Sequence, residues 1–524
     1  MKLSSKLCFV LLLFTCSSLL AQSGATYYVS KSGKDSNSGS YTAPWLTIQH
    51  AANTVTAGAT VYVEAGVYNE SVSFPASGSA SNYITFESYP GQTAVIDGTG
   101  VSCCTSNPPS SGNLIQGLIN IVNQSYITIS GFEIRNYTTS NASFTPTGIW
   151  LTGSGTGVQL LNNIVHNITT TSEKSGNAFG ISVYGTSSAP ITQLTISGNQ
   201  VYSLKTGNSE SVNVDGNVTY FTVSNNVIHD NDNIGFAAIG FESVGPSGYD
   251  QAKYGLVTGN TIYNISAKKN PGEGNSYDAD GLYCDGCAYV IFERNTVHNC
   301  DLNMEAASEH KGHTGSYVTI RNNVFYDANT VGISIGGYSN TVGGSDHVVI
   351  VNNTLYNNNT TNGGGEFQIQ YHSGSSSGNI FENNIVYAGT QNVWIYSFVK
   401  PTSGYPAPPA TMNWNLYYST AGYVSGTSID WAGKSTYKTF AAYQSGSGED
   451  GNSSVANPLF VNLSSNPPNL DVQSGSPAIN AGSTSLTCSV GYCGSGTSIY
   501  GSTDYAGNPR VNSNGQINIG AYEQ

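Results

Sequence analysis

Charge is scarce in this chain. Of 524 residues only 9% are Asp, Glu, Lys or Arg, and 17 bases face 31 acids, for a formal net charge of −14. So few charges exclude a charge-extended disordered chain. The shortage of bases excludes a nucleic-acid reader, which needs a basic patch to neutralise phosphates. It also makes an anionic polymer an awkward partner unless a bound cation bridges the two. Long apolar runs are missing beyond the first 22 residues, so no later segment is apolar enough to cross a bilayer. Long helical periodicity is missing as well. The best helix is short, Trp45 to Thr54, and is expected to cap the open end of a stack.

The first 22 residues, MKLSSKLCFVLLLFTCSSLLAQ, combine a basic start, an apolar stretch and a small-residue end near Ala21. That is the pattern of a secretory signal over 1–21, with the mature chain starting near Gln22. A soluble secreted product, extracellular or periplasmic, is expected, with no membrane partner and as a monomer. Export permits disulfides. Seven of the nine cysteines lie beyond the signal. Cys488 and Cys493 flank a Gly/Tyr turn and are expected to pair. Cys284 and Cys287 form a lone C-x-x-C near Cys300, without the second ligand pair that zinc requires, and are read as structural.

What is abundant is repetition. The phrase apolar-x-x-Asn-x-apolar returns eight times, at Asn163, Asn199, Asn226, Asn260, Asn295, Asn323, Asn353 and Asn384, with intervals of 36, 27, 34, 35, 28, 30 and 31 residues. Self-similarity at that period means a solenoid, and apolar alternation around each Asn makes each unit a set of short strands. Stacked coils place identical positions roughly 4.8 Å apart. The asparagines are therefore expected to hydrogen-bond as a ladder inside a bend. Strands begin at Thr26–Val29 and Thr60–Glu64, with a cap over about 26–60. Regular coils follow from about Ile115 to Tyr396, interrupted most by the insertion Val244 to Tyr277, which is expected to wall a cleft. The stack is expected over 22–400 and a C-terminal extension packing on it over 401–524.

The YYVSKSGKDSNSG opening, the TAPWLTIQHA cap, the N-N-x-I/V coils and the INIGAYE ending resemble the secreted right-handed parallel β-helix proteins of the pectin-lyase fold. The resemblance covers nearly all of the mature chain. It implies an all-β right-handed parallel β-helix solenoid with an N-terminal cap and a C-terminal extension. It implies a carbohydrate partner but leaves the reaction open, because lyases, hydrolases, epimerases and adhesins share this fold.

The Gly-led strand before each Asn phrase aligns coil by coil as GIWLTG (148–153), GISVYG (180–185), SVNVDG (211–216), GFAAIG (235–240), GLYCDG (281–286), DLNMEA (301–306), GISIGG (332–337) and EFQIQY (366–371). Second and fourth positions are apolar and point inward; third and fifth point outward. One outward column then reads Trp150, Ser182, Asn213, Ala237, Tyr283, Asn303, Ser334, Gln368. The next reads Thr152, Tyr184, Asp215, Ile239, Asp285, Glu305, Gly336, Gln370, with His372 just beyond. Amides, acids and aromatics gathered on one face suit sugar binding. Asn213, Asp215, Tyr283, Asn303, Gln368, Gln370 and His372 are the expected subsite residues. Asp285 and Glu305, in one column on successive coils, are expected to face each other as paired carboxylates, Asp285 as nucleophile and Glu305 as acid/base. Asp280 and Asp301 precede the same two strands and are expected to support them or hold a cation.

Asp278-Ala279-Asp280-Gly281 resembles the Asn-Thr-Asp-Gly motif of polygalacturonases. Asn299-Cys300-Asp301-Leu302 resembles the Asp-Asp pair one coil later, with Leu302 in place of the second aspartate. The same acids resemble those of calcium-dependent pectate lyases, which implies Asp280 and Asp301 as Ca²⁺ ligands. Such lyases abstract a proton with a lysine on the next coil. Ser334 stands at that position here, and Lys311 is the nearest substitute, placed as in alginate-lyase relatives. His310 and His313 flank Lys311 as further acid/base or sugar-binding groups. The expected activity is glycosidic-bond cleavage by hydrolysis. The alternatives are Ca²⁺-dependent β-elimination and, third, non-catalytic glycan binding.

Overall fold

A computed structural model describes residues 24–103, 114–371, 376–399, 410–496 and 498–524. The segment 1–21 and His372 lie outside the described residues. The chain winds into an all-β solenoid built on three parallel sheets of 18, 11 and 13 strands, in which a strand pairs with its counterpart one coil on. The 11-stranded sheet carries the Gly-led strands. Its inward row, Ile149, Ile181, Val212, Phe236, Leu282, Met304, Ile333 and Phe367, runs in register from coil to coil. Each of these side chains is at most 1% exposed. The alternation read in the sequence is the alternation of this sheet, because a strand turns successive side chains to opposite faces.

The asparagine ladder forms at one corner. Asn163 donates its backbone N–H and its Nδ2 to Asn199 Oδ1 at 2.9 and 3.1 Å. The same two bonds recur from Asn199 to Asn226, then to Asn260, Asn295, Asn323, Asn353 and Asn384. A ninth rung, Asn415, continues it. The residue before each rung is left-handed, with φ from 54° to 69°: Asn162, Gly198, Asn225, Gly259, Arg294, Asn322, Asn352, Asn383 and Trp414. Asn and Gly tolerate that conformation, which is why N-N and G-N dominate the phrase.

Three residues beyond rungs Asn163, Asn226 and Asn295, His166, His229 and His298 stack alternately with Tyr202, Tyr263 and Tyr326, at ring separations of 4.5 to 5.1 Å. At the N-terminal end the cap helix is Ile48–Thr54, with Thr47 accepting the His50 N–H. It is shorter than expected because Trp45 is held in extended backbone against Val29.

The stack does not stop at 400. Ala410–Asn413 pairs with Asn379–Glu382, Leu416–Tyr418 with Ile385–Tyr387, and Ser454–Val455 with Leu416–Tyr417, all parallel. The remaining tail lies back along the outside. Phe460, Leu470, Ala478, Ile519 and Ala521 pack on Val324, Tyr326, Ile385 and Leu416. Arg321 donates to the carbonyls of Ser498 and Ile499. Two disulfides join Cys284 to Cys287 and Cys488 to Cys493.

Candidate functional site

One strand is not where its sequence places it. Tyr283 pairs with Glu305 and Asp285 with Ala307, so the strand Leu302–Ala307 lies two residues out of the expected register. Met304 and Ala306 are the inward pair, not Leu302 and Met304. Alternation cannot reveal a slip of two, because it returns every side chain to the same face. The corrected outward column reads Trp150, Ser182, Asn213, Ala237, Tyr283, Glu305, Ser334, Gln368, and its neighbour reads Thr152, Tyr184, Asp215, Ile239, Asp285, Ala307, Gly336, Gln370. Asp285 and Glu305 are therefore diagonal neighbours on adjacent coils, with Tyr283 and Ala307 occupying the opposed positions.

Asn303 consequently falls at the strand start, where Gly281 and Gly332 stand in the flanking coils. It is fully buried, and its Nδ2 donates to Tyr326 O at 3.1 Å and Asn358 Oδ1 at 2.8 Å. Glu366 clamps Asn358 from the other side, accepting both its N–H and its Nδ2. This is corner architecture, and Asn303 is not a subsite residue. Asp301 is likewise spent. One oxygen accepts from Ser266 Oγ and Asn329 Nδ2, the other from the backbone N–H groups of Ala267 and Ala279, all at 2.7 to 3.2 Å. A carboxylate bound four times by the fold has no lone pair facing outward. Asp280 and Asp301 therefore do not fit as a calcium pair, and Asp301 is not a catalytic group. It anchors the loop 266–279.

The other acids gather on the outward face. Glu305 is 9% exposed and its Oε1 accepts from Gln370 Nε2 at 3.2 Å; Gln370 also donates to Ser334 Oγ at 2.9 Å. Gln368 Nε2 donates to the same Ser334 Oγ at 3.3 Å. Burial, with the charge of Glu309 added, pushes the Glu305 carboxyl up to about 8. Asp280 is 4% exposed, its Oδ1 has no hydrogen-bond partner, and burial raises it well above the carboxylate range; Glu305 is the strongest charge acting on it. Asp285 is raised by burial and then by Glu309, whose N–H its Oδ1 accepts at 2.7 Å. Desolvation raises Asp215 too, followed by Glu210 and Glu242, and its Oδ1 is also without a partner. Between these acids lies a small apolar floor of Ala237, Ile239, Tyr283 and Ala307. Among the described residues, no Lys or Arg lies within ion-pair distance of Asp215, Asp280, Asp285, Glu305 or Glu309.

Asn213 sits on this face yet is fully buried, accepting from Ser182 Oγ and donating to Glu210. It orients Glu210, whose carboxyl burial pushes up to about 7. His310 Nε2 lies 2.7 Å from Glu242 Oε1, and His313 stacks on Phe241 at 3.8 Å, so the turn 308–313 leans on the loop that follows Ile239. Lys311 is exposed at its tip. Sequence reasoning missed Glu210, Glu242 and Glu309. Glu242 and Glu309 lie just past the ends of outward strands, where the coil pattern breaks and alignment no longer says which way a side chain points. A separate open cavity of about 380 Å³, lined by His298, Tyr326, Asp327, Tyr356 and Pro468, contains none of these acids.

The model of the "Pel9A-like, right handed beta helix region" matches residues 27–199. The chain is 34% identical over 439 residues to the uncharacterized protein YwoF of Bacillus subtilis (strain 168), covering 84% of this chain and 89% of that one. It is 30% identical over 115 residues to the pectate lyase PEL9 of Emericella nidulans, a match spanning 21% of this chain and 28% of the lyase. Among solved structures, the A-module of the mannuronan C-5 epimerase AlgE6 of Azotobacter vinelandii superposes with a TM-score of 0.51 at 13% identity, covering 78% of this chain and 93% of the module. That likeness bears on the fold alone. The chain belongs to the family of YwoF and carries over residues 27–199 a Pel9A-like right-handed β-helix region.

Proposed function

We propose that this protein is an exported enzyme that hydrolyses glycosidic bonds in a polysaccharide or oligosaccharide, with Glu305 as the proton donor and Asp280 as its partner carboxyl. The observation that carries the reading is the state of Glu305. It is nearly buried, oriented by Gln370, and pushed up to about 8, so it holds a proton at neutral pH, as a general acid must. Asp280 is raised by burial and, among charges, most by Glu305, so ionising Glu305 makes ionising Asp280 harder. Asp285, the nucleophile expected from sequence, has one oxygen committed to the Glu309 N–H and lies nearer to Glu309 and Glu242 in charge. Tyr283 and the apolar floor beside it offer a surface for a sugar ring.

Hydrolysis is favoured over β-elimination because among the described residues no Lys or Arg lies within ion-pair distance of these acids, and Lys311, the nearest along the chain, is exposed at the tip of the turn 308–313. The relative PEL9 is named a pectate lyase, which supports a carbohydrate substrate and leaves the reaction to experiment. The test is digestion of a glycan panel, reading new reducing ends and ultraviolet-absorbing unsaturated products, beside Glu305→Gln. New reducing ends without unsaturation, lost in the variant, are expected. Unsaturated products would replace hydrolysis by elimination. Glycan binding without cleavage in the wild type would make the chain a binding protein.

A further inference from the structure

In the two outward columns of the 11-stranded sheet, every buried side-chain atom without a hydrogen-bond partner among the described residues is an acceptor oxygen. The atoms are Asp215 Oδ1, Gln368 Oε1 and Gln370 Oε1. Asp280 Oδ1, at the start of the strand Asp280–Asp285, is a fourth. Gln368 and Gln370 lie two apart on the strand Phe367–Tyr371, and each is 4% exposed. A buried polar atom is ordinarily bonded within the fold, so two amide oxygens left open on one strand call for a donor from outside it.

The bonds these amides do make fix where their oxygens stand. Gln370 Nε2 donates to Glu305 Oε1 at 3.2 Å and to Ser334 Oγ at 2.9 Å. Its Oε1 is the other end of the same amide, two covalent bonds from a nitrogen that touches the proposed proton donor. Gln368 Nε2 donates to the same Ser334 Oγ at 3.3 Å, and Ser334 is fully buried. Both amides are thus pinned by their nitrogens and have only oxygen left to offer. Tyr283, opposite Glu305 on the preceding coil, adds an apolar surface. Among the described residues, no Lys or Arg lies within ion-pair distance of Asp215, Asp280, Asp285, Glu305 or Glu309. An anionic group placed here would meet carboxyls and amide oxygens, with neither a donor nor a cation to receive it.

We propose that the sugar unit bound at Glu305 is a neutral one, and that Gln370 and Gln368 select it by accepting hydrogen bonds from its hydroxyl groups. A uronic, sulfated or phosphorylated unit is refused at this position. Selection works through the open acceptors: a hydroxyl closes them, whereas a carboxylate leaves them unpaired and adds a like charge. Ser334 stands where the lyase resemblance asks for a proton-abstracting lysine, and it holds the two amides instead. The position that would carry a cation for a uronate carries a pair of acceptors. This inference rests on the carbohydrate reading of the face and names its substrate class; it does not require that the bond be broken by hydrolysis.

The test uses the full purified chain at neutral pH with paired ligands: uronate polymers, and the same polymers after carboxyl reduction, which turns each carboxylate into CH₂OH. A set of neutral glycans is run beside them. Affinity is read by calorimetry in the Glu305→Gln background, so that cleavage does not consume the ligand, and products are read with the wild type. Within each pair that binds, the neutral member is expected to be tighter by about tenfold or more. Gln370→Met and Gln368→Met should each weaken the neutral ligand by about tenfold, and Gln368→Lys should shift the neutral-to-uronate ratio toward the uronate by a similar factor. A merely structural role for the amides would lower Tm and leave that ratio where it was. Tighter binding of the uronate members, or a ratio unmoved in all three variants, overturns the proposal and leaves the carbohydrate reading standing. Neutral glycans bound but not cleaved by the wild type support the proposal while the hydrolase reading falls. No glycan bound at all overturns both.

Discussion

The asparagine rungs and the acidic face run along the same coils, yet they treat buried polar groups in opposite ways. At the corner every inner rung is bonded on both sides: Asn295 donates to Val257 O and Asn323, and accepts from Asn260. On the face, Asp215, Asp280, Gln368 and Gln370 each keep a buried oxygen without a partner. Full satisfaction is what a repeat supplies, since each rung has an identical neighbour. Unsatisfied carboxyls are not something a repeat produces, and a fold retains them where they meet a ligand, a proton or a substrate. The difference separates what builds the solenoid from what it is built to present.

The largest effect should come from the face. Glu305→Gln should lower kcat on the cleaved glycan by about 10²–10⁴-fold with little loss of stability, read by reducing-end release beside a melting curve. A comparable loss of Tm would mean that Glu305 is structural and would erase the contrast. The corner should respond the other way. Asn295→Ala leaves the Asn260 donors and Val257 O unpaired in the interior and should cost about 2–4 kcal/mol in denaturant unfolding. Between the two, Asp301→Asn should destabilise by about 1–3 kcal/mol, because it disturbs four bonds to the loop 266–279, whereas Asp285→Asn should cost less than about 1 kcal/mol.

The pH profile sharpens the same comparison. Glu305 at about 8 and Glu210 at about 7 are raised above their unfolded values, so the unfolded chain releases these protons first. Stability should therefore be highest near pH 5 and fall as pH rises through 7 to 8, and Glu305→Gln should flatten part of that slope. The smallest effect is expected at Lys311. Lys311→Ala should change kcat/KM by less than about threefold if cleavage is hydrolytic, while a larger loss would revive elimination with Lys311 as base.

Much of the architecture was legible because it repeats. The eight asparagines marked the corner and its ladder, and the apolar alternation marked which side of each Gly-led strand is core. Asn415 was not recognised as a rung, since it lies beyond residue 400, where the expected stack ended, and is preceded by Trp414 instead of Asn or Gly. The fit of DLNMEA failed for a different reason. Asp-Leu mimics the Gly-Leu start of its neighbours, and only the buried bonds of Asp301 and Asn303 reveal that the strand begins two residues later.

The chain's own order of residues determined that this is a stack of short strands, which side of each strand is core, and that one outward face gathers acids, amides and aromatics. Period and alternation are local properties and survive without coordinates. Which acids become neighbours was decided only by the folded stack. A two-residue slip moved Glu305 beside Tyr283, and loops from three coils brought Glu242, Asp285 and Glu309 together. Register and loop direction depend on contacts between residues far apart in the chain, and no repeat records them.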